Sequence, residues 1–133
     1  MYNYNEINTV HLEITQHCNA ACPMCDRNEN GGLDNQHIRD NLQELTLNDC
    51  IDIFPHDFIA QLKTMYMCGN LGDPISARDT LEIFQWFRDC NPDMWLSMNT
   101  NAGARDPQWW AEVAKVIGRN GCVIFSVDGL EET

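Results

Sequence analysis

The sequence predicts an α/β fold, a parallel (β/α) partial TIM barrel of about four βα units that is truncated at its C-terminal side. Three observations carry that expectation. Short apolar runs near residues 10–14, 65–68, 94–98 and 122–127 read as strands, and helical patterns lie between them. Strands alternating with helices form right-handed βαβ units and hence a parallel sheet. A closed barrel of eight units takes roughly 250 residues, about 30 per unit, so 133 residues hold about four. The last strand ends a few residues before Thr133 with no helix after it, so 1–133 is expected to be one incomplete domain.

Val10, Leu12 and Ile14 alternate with His11, Glu13 and Thr15, the period of a strand. Residues 26–45 are polar and rich in Asn, Asp and Gly, which predicts a long loop, functional or mobile. Thr46-Leu47-Asn48-Asp49 reads as a capping box opening a helix with Leu47, Cys50, Ile51 and Phe54 at helical spacing. Pro55 stops it, and a short helical stretch over 56–63 follows. The second strand ends in the turn Gly69-Asn70-Leu71-Gly72-Asp73-Pro74. Asp79 with Glu82 caps the next helix, which carries Leu81, Phe84, Phe87 and Cys90. The third strand closes on Asn99-Thr100-Asn101-Ala102-Gly103. Asp106-Pro107 is a cap followed by proline at the first helical position, Trp110, Val113, Ala114 and Ile117 form one helical face, and Gly118 and Gly121 end it.

Composition excludes several classes. Hydrophobic residues make up 44% and charged ones 21%, a globular profile. Eight Lys plus Arg against twenty Asp plus Glu leave a net charge of −12, which repels a phosphate backbone and argues against nucleic-acid binding. No apolar run reaches the length of about 20 residues that crosses a bilayer. Residues 1–6 have no basic region followed by an apolar stretch, so a cytoplasmic location is expected.

Seven cysteines are many for such a chain, and an odd number does not suit a secreted disulfide framework. Cys50, Cys68, Cys90 and Cys122 stand isolated among apolar residues and read as small core hydrophobes. Cys18, Cys22 and Cys25 follow the first strand directly, and one tight loop can bring their sulfurs around a metal centre. Three thiolates on a four-iron cluster leave one iron open for a ligand. Zinc is the alternative, with His17 or His37 completing a Cys₃His site, although the second CxxC pair of a zinc ribbon is absent. Of the remaining residues, His11 is expected to be a satisfied core histidine, and Trp86, Phe87, Trp109 and Trp110 to serve packing.

Cys18-xxx-Cys22-xx-Cys25 after a first strand, preceded by Glu13-Ile14-Thr15-Gln16-His17, resembles the radical S-adenosylmethionine superfamily. Later segments fit in order. Leu71-Gly72-Asp73-Pro74 is similar to the Gly-Gly-Glu motif that holds the methionyl amine through backbone groups. Asn99-Thr100-Asn101 is similar to a Thr-Asn-Gly ending of the third strand, and Ser126-Val127-Asp128-Gly129 to a Ser-x-Asp-Gly whose polar side chains approach the ribose or carboxylate.

The resemblance implies a 4Fe–4S cluster on Cys18, Cys22 and Cys25 that binds S-adenosylmethionine and cleaves it reductively to a 5′-deoxyadenosyl radical, which abstracts hydrogen from a substrate. It implies cofactor contacts from Met24, Gly72, Asp73, Asn99, Ser126 and Asp128, and a reductant protein such as flavodoxin or ferredoxin. Met24 stands where an aromatic residue is common, Gly69 and Gly72 are separated, and Asp73 is one methylene shorter than Glu. The substrate, a small molecule or a peptide, is not readable; the Gly-Asp-Pro and Ser-x-Asp-Gly variants lean toward the peptide-modifying branch. The competing expectations are a non-catalytic module that holds zinc or a cluster, and a fragment inactive on its own.

Overall fold

The computed structural model describes residues 2–127. Strands β1 (Thr9–Leu12), β2 (Thr64–Met67), β3 (Trp95–Thr100) and β4 (Gly121–Phe125) form one sheet in the order β1-β2-β3-β4, and every pairing is parallel. Each strand therefore lies beside its neighbour in sequence. Leu12 pairs with Met67, Met67 with Met98 and Thr100 with Phe125, so the C-terminal ends of all four strands lie along one edge.

Between β1 and β2 come α1 (Gln36–Asp40), α2 (Leu47–Ile53) and α3 (His56–Gln61). The Thr46 hydroxyl accepts from Asp49 N–H while the Asp49 carboxylate accepts from Thr46 N–H, the reciprocal capping box expected there. α4 (Thr80–Cys90) follows β2, and α5 (Pro107–Ile117) follows β3. Thr80, Ile83, Phe84 and Phe87, at helical spacing, are the buried stripe of α4. Asp106 accepts from Trp109 N–H at the start of α5, and Gly118, at φ +59°, ends that helix in a backbone conformation that costs other residues energy.

Alternation along the strands divides the sheet into two unlike faces. Met65, Met67, Leu96 and Met98 are fully buried in one core with Ile83, Phe84 and Phe87 of α4 and Val113 of α5. The opposite face carries His11 and Tyr66, whose rings stack at 4.6 Å, then Ser97, Asn99 and Cys122. Its His11 is exposed, and its Nε2–H donates to the Cys68 carbonyl at 2.5 Å. The histidine is satisfied but stands outside the core, contrary to expectation, because position 11 falls on the uncovered side.

Several local expectations change. β1 ends at Leu12, and Thr15 instead bridges antiparallel to Glu44, where the loop returns. Within 26–45 the short helix α1 forms, capped by Asn35, whose side chain accepts from Ile38 N–H at 3.0 Å. Asp79 precedes α4 but makes no cap bond; its carboxylate accepts from Leu47 N–H and from Arg78, both at 2.9 Å. Gly121 opens β4 and does not belong to the helix end, since any Cβ there would collide with the Leu96 carbonyl. No helix among the described residues is long and apolar enough to cross a membrane.

Candidate metal and cofactor site

The loop that leaves β1 carries its cysteines to the C-terminal edge of the sheet. There it meets the turns that follow β2 and β3, and the three enclose a cavity of about 270 Å³. Cys18, Cys22 and Cys25 all line it. So do Gly72, Asp73, Asn99 and Ser126, four of the six positions expected to contact a cofactor. Met24 is 96% exposed and lies outside the lining. Asp128 lies outside the described residues.

Asp73 holds the three segments together. It is 5% exposed; one carboxylate oxygen accepts from Ile75 N–H at 3.1 Å and the other from Asn101 N–H at 2.7 Å. Its own N–H donates to the His17 carbonyl at 2.8 Å. Backbone donors on a buried carboxylate are charge-assisted bonds, worth about 1.5–3 kcal/mol each. Gly72 is required by the same closeness, because a Cβ on it would run into the Thr15 carbonyl.

Cys18 is held by two donors. Its sulfur accepts from Ala20 N–H at 3.4 Å and from the Asn101 side-chain amide at 3.6 Å. Burial pushes the Cys18 thiol above its ordinary value and nearby Asp73 adds to this, while the Ala20 N–H and the Arg27 charge pull the other way. Asn101 also donates to the Asn19 side chain at 3.0 Å, tying the third strand's turn to the cysteine loop.

Sequence reasoning missed two further members of the lining. Arg27, two residues past Cys25, is 4% exposed. Its guanidinium donates to the carbonyls of Gln16 at 2.5 Å and Leu71 at 3.2 Å and pairs with Asp34 at 2.7 Å. Its Nε is buried without a hydrogen-bond partner among the described residues, a condition that costs about 1–3 kcal/mol. The signal available was its spacing from the cluster. Cys68, read as a core residue, is half-buried and lines the cavity as a fourth thiol. It stands one residue past the end of β2, on the face of Tyr66 and not of Met67, which is why it escapes the core. Burial, then Glu13 and Asp73, push its thiol upward. Of the other isolated cysteines, Cys50 is fully buried as expected, whereas Cys90 and Cys122 are half-buried.

The histidines of the zinc alternative stand elsewhere. His17 is exposed, 4.0 Å from Glu44, and His37 on α1 lies beside Asn41; neither lines the cysteine cavity. Among the described residues no three His, Cys, Asp or Glu side chains close on a single metal ion. A polynuclear cluster makes a different demand. Each of its thiolates binds a separate iron, so the sulfurs must surround a volume and need not meet at a point. Thiols gathered on one cavity, amide donors at Cys18 and a buried N–H without a partner among the described residues suit such a group. No protein-family model and no curated protein matches the chain.

Proposed function

We propose that the chain is a partial (β/α) barrel that holds a 4Fe–4S cluster on Cys18, Cys22 and Cys25 and binds S-adenosylmethionine beside it. The observation that carries the reading is the meeting of all three cysteines with Gly72, Asp73, Asn99 and Ser126 around one cavity at the strands' C-terminal edge. Ligands of parallel βα folds bind at that edge. The strand order agrees, since each βα unit of a barrel adds beside the one before it.

When bound, the cluster and S-adenosylmethionine would supply reductive cleavage to a 5′-deoxyadenosyl radical able to abstract hydrogen. The chain's own residues have other tasks. Cys18, Cys22 and Cys25 provide the thiolates, and Ala20 and Asn101 donate hydrogen bonds to the Cys18 sulfur. Asp73 and Gly72 fix the second turn against the cysteine loop. Asn99 and Ser126 offer polar groups to the remainder of the ligand. The substrate, a small molecule or a peptide, and a flavodoxin- or ferredoxin-type reductant complete the reading.

Anaerobic reconstitution with iron and sulfide tests it. A brown, oxygen-sensitive protein with about four irons per chain is expected, and dithionite with S-adenosylmethionine should release 5′-deoxyadenosine. Cluster and cofactor binding without that product would overturn the catalytic part.

One observation favours a second reading, a structural metal site. Cys68 gives the cavity four thiols, the number of a Cys₄ zinc site, and zinc would have to draw together sulfurs that do not converge on one point. One tightly bound zinc without iron or sulfide, lost on Cys68→Ala, would establish it in place of the first.

A further inference from the structure

Among the described residues Arg27 is the one basic residue on the lining of the cysteine cavity, and it is buried. Its terminal nitrogens hold Gln16, Leu71 and Asp34, which fixes the guanidinium in place, while its Nε–H is left without a partner. Buried donors are nearly always satisfied, so an unpaired one on a residue that lines a cavity points to an acceptor that belongs beside it. The acceptors implied by three thiolates and their inorganic sulfides are anionic, and a fixed guanidinium is the matching donor.

We infer that Arg27 is a positioning and tuning residue for an anionic iron–sulfur centre in this cavity, its charge and its free Nε–H favouring the reduced state. The inference rests on the cluster reading above. Reduction adds an electron to a centre that is already negative. A nearby fixed positive charge stabilises the product more than the reactant and raises the potential; Asp34, paired to the same guanidinium, offsets part of that effect. The two residues thus act in opposite directions on one quantity, although both serve the same loop.

The test is an EPR-monitored redox titration of the reconstituted protein and three variants, with iron content and thermal unfolding measured alongside. Arg27→Gln should lower the potential by about 59 mV, a tenfold loss in the reduction equilibrium for one electron. Arg27→Lys, which keeps the charge, should fall between Arg27→Gln and the wild type. Asp34→Asn should raise the potential, by less, because Asp34 is more exposed and its charge is screened. A merely structural role would lower iron content in Arg27→Gln and Asp34→Asn alike and leave the potential of the assembled cluster unmoved. Equal potentials in Arg27→Gln and wild type overturn the inference. If Arg27→Gln assembles no cluster, an Asp34→Asn potential at or below the wild-type value overturns it instead. A wild-type protein that takes up no iron overturns the cluster reading itself, an outcome distinct from both.

Discussion

The two faces of the sheet use the same backbone for opposite purposes. On the helix-covered face, Met65, Met67, Leu96 and Met98 are fully buried against α4 and α5, and burial of apolar area supplies the stability. On the other face, His11, Tyr66, Ser97, Asn99 and Cys122 offer polar or aromatic groups, and His11 is exposed. One residue of register decides which task a position serves. Cys68 and Asn99 show this, since each directly follows a buried methionine yet lines the cavity.

The comparison can be tested by substitutions of decreasing effect. Phe87→Ala on the covered side should cost about 3–5 kcal/mol in urea unfolding, because it opens a cavity in a close-packed core. Asp73→Ala, at the seam between the faces, should cost about 2–3 kcal/mol and also impair iron uptake, since two backbone N–H groups lose their acceptor. A stable Asp73→Ala that loads iron normally would dissociate the seam from the site. Asp106→Ala should cost about 1 kcal/mol through the lost cap of α5, with iron uptake unchanged. Asn99→Ala should alter stability by less than about 0.5 kcal/mol while weakening S-adenosylmethionine binding to the loaded protein, measured by calorimetry. Equal losses of stability from Asn99→Ala and Phe87→Ala would end the distinction between the faces.

A pH test addresses the join between α2 and α4. The Leu47 N–H, then Arg78, hold the Asp79 carboxyl below its ordinary value of 3.8. A carboxyl depressed by folding contributes stability that is present above that value and is lost as pH falls through the folded-state value. The stability difference between wild type and Asp79→Asn should therefore be constant near neutrality and close progressively below about pH 4. A difference that persists undiminished at pH 2 would mean that the bond does not depend on the charge.

The covered face was legible because burial on one side leaves a period in the sequence. Val10, Leu12, Phe84, Phe87, Val113 and Ile117 follow strand or helix spacing, and the elements containing them lie within a few residues of expectation. α1 was not legible: Ile38 is its only buried residue, so no period marks it, and its order comes from Asn35 and from Arg27 with Asp34. The cavity was half legible. The cysteine spacing and the strand-end motifs point to residues that do meet there, while Arg27 carried only its nearness to the cysteines and Cys68 was read with the apolar run of β2. Asp79 was misread because its partner, Leu47, lies 32 residues away.

The anchoring of the cysteine loop also fixes an order of events during synthesis. Residues 18–25 leave the ribosome early, but the contacts that shape their cavity come from Asp73 and Asn101. Until the third strand has emerged and joined the sheet, the cysteine loop has its local contacts from Arg27 and Asn28 but lacks those from Asn101. A preformed site rarely exists in an unfolded chain, so on the proposed reading a nascent chain halted before Asn101 should accept metal poorly, and iron would be delivered after the first hundred residues or so are translated.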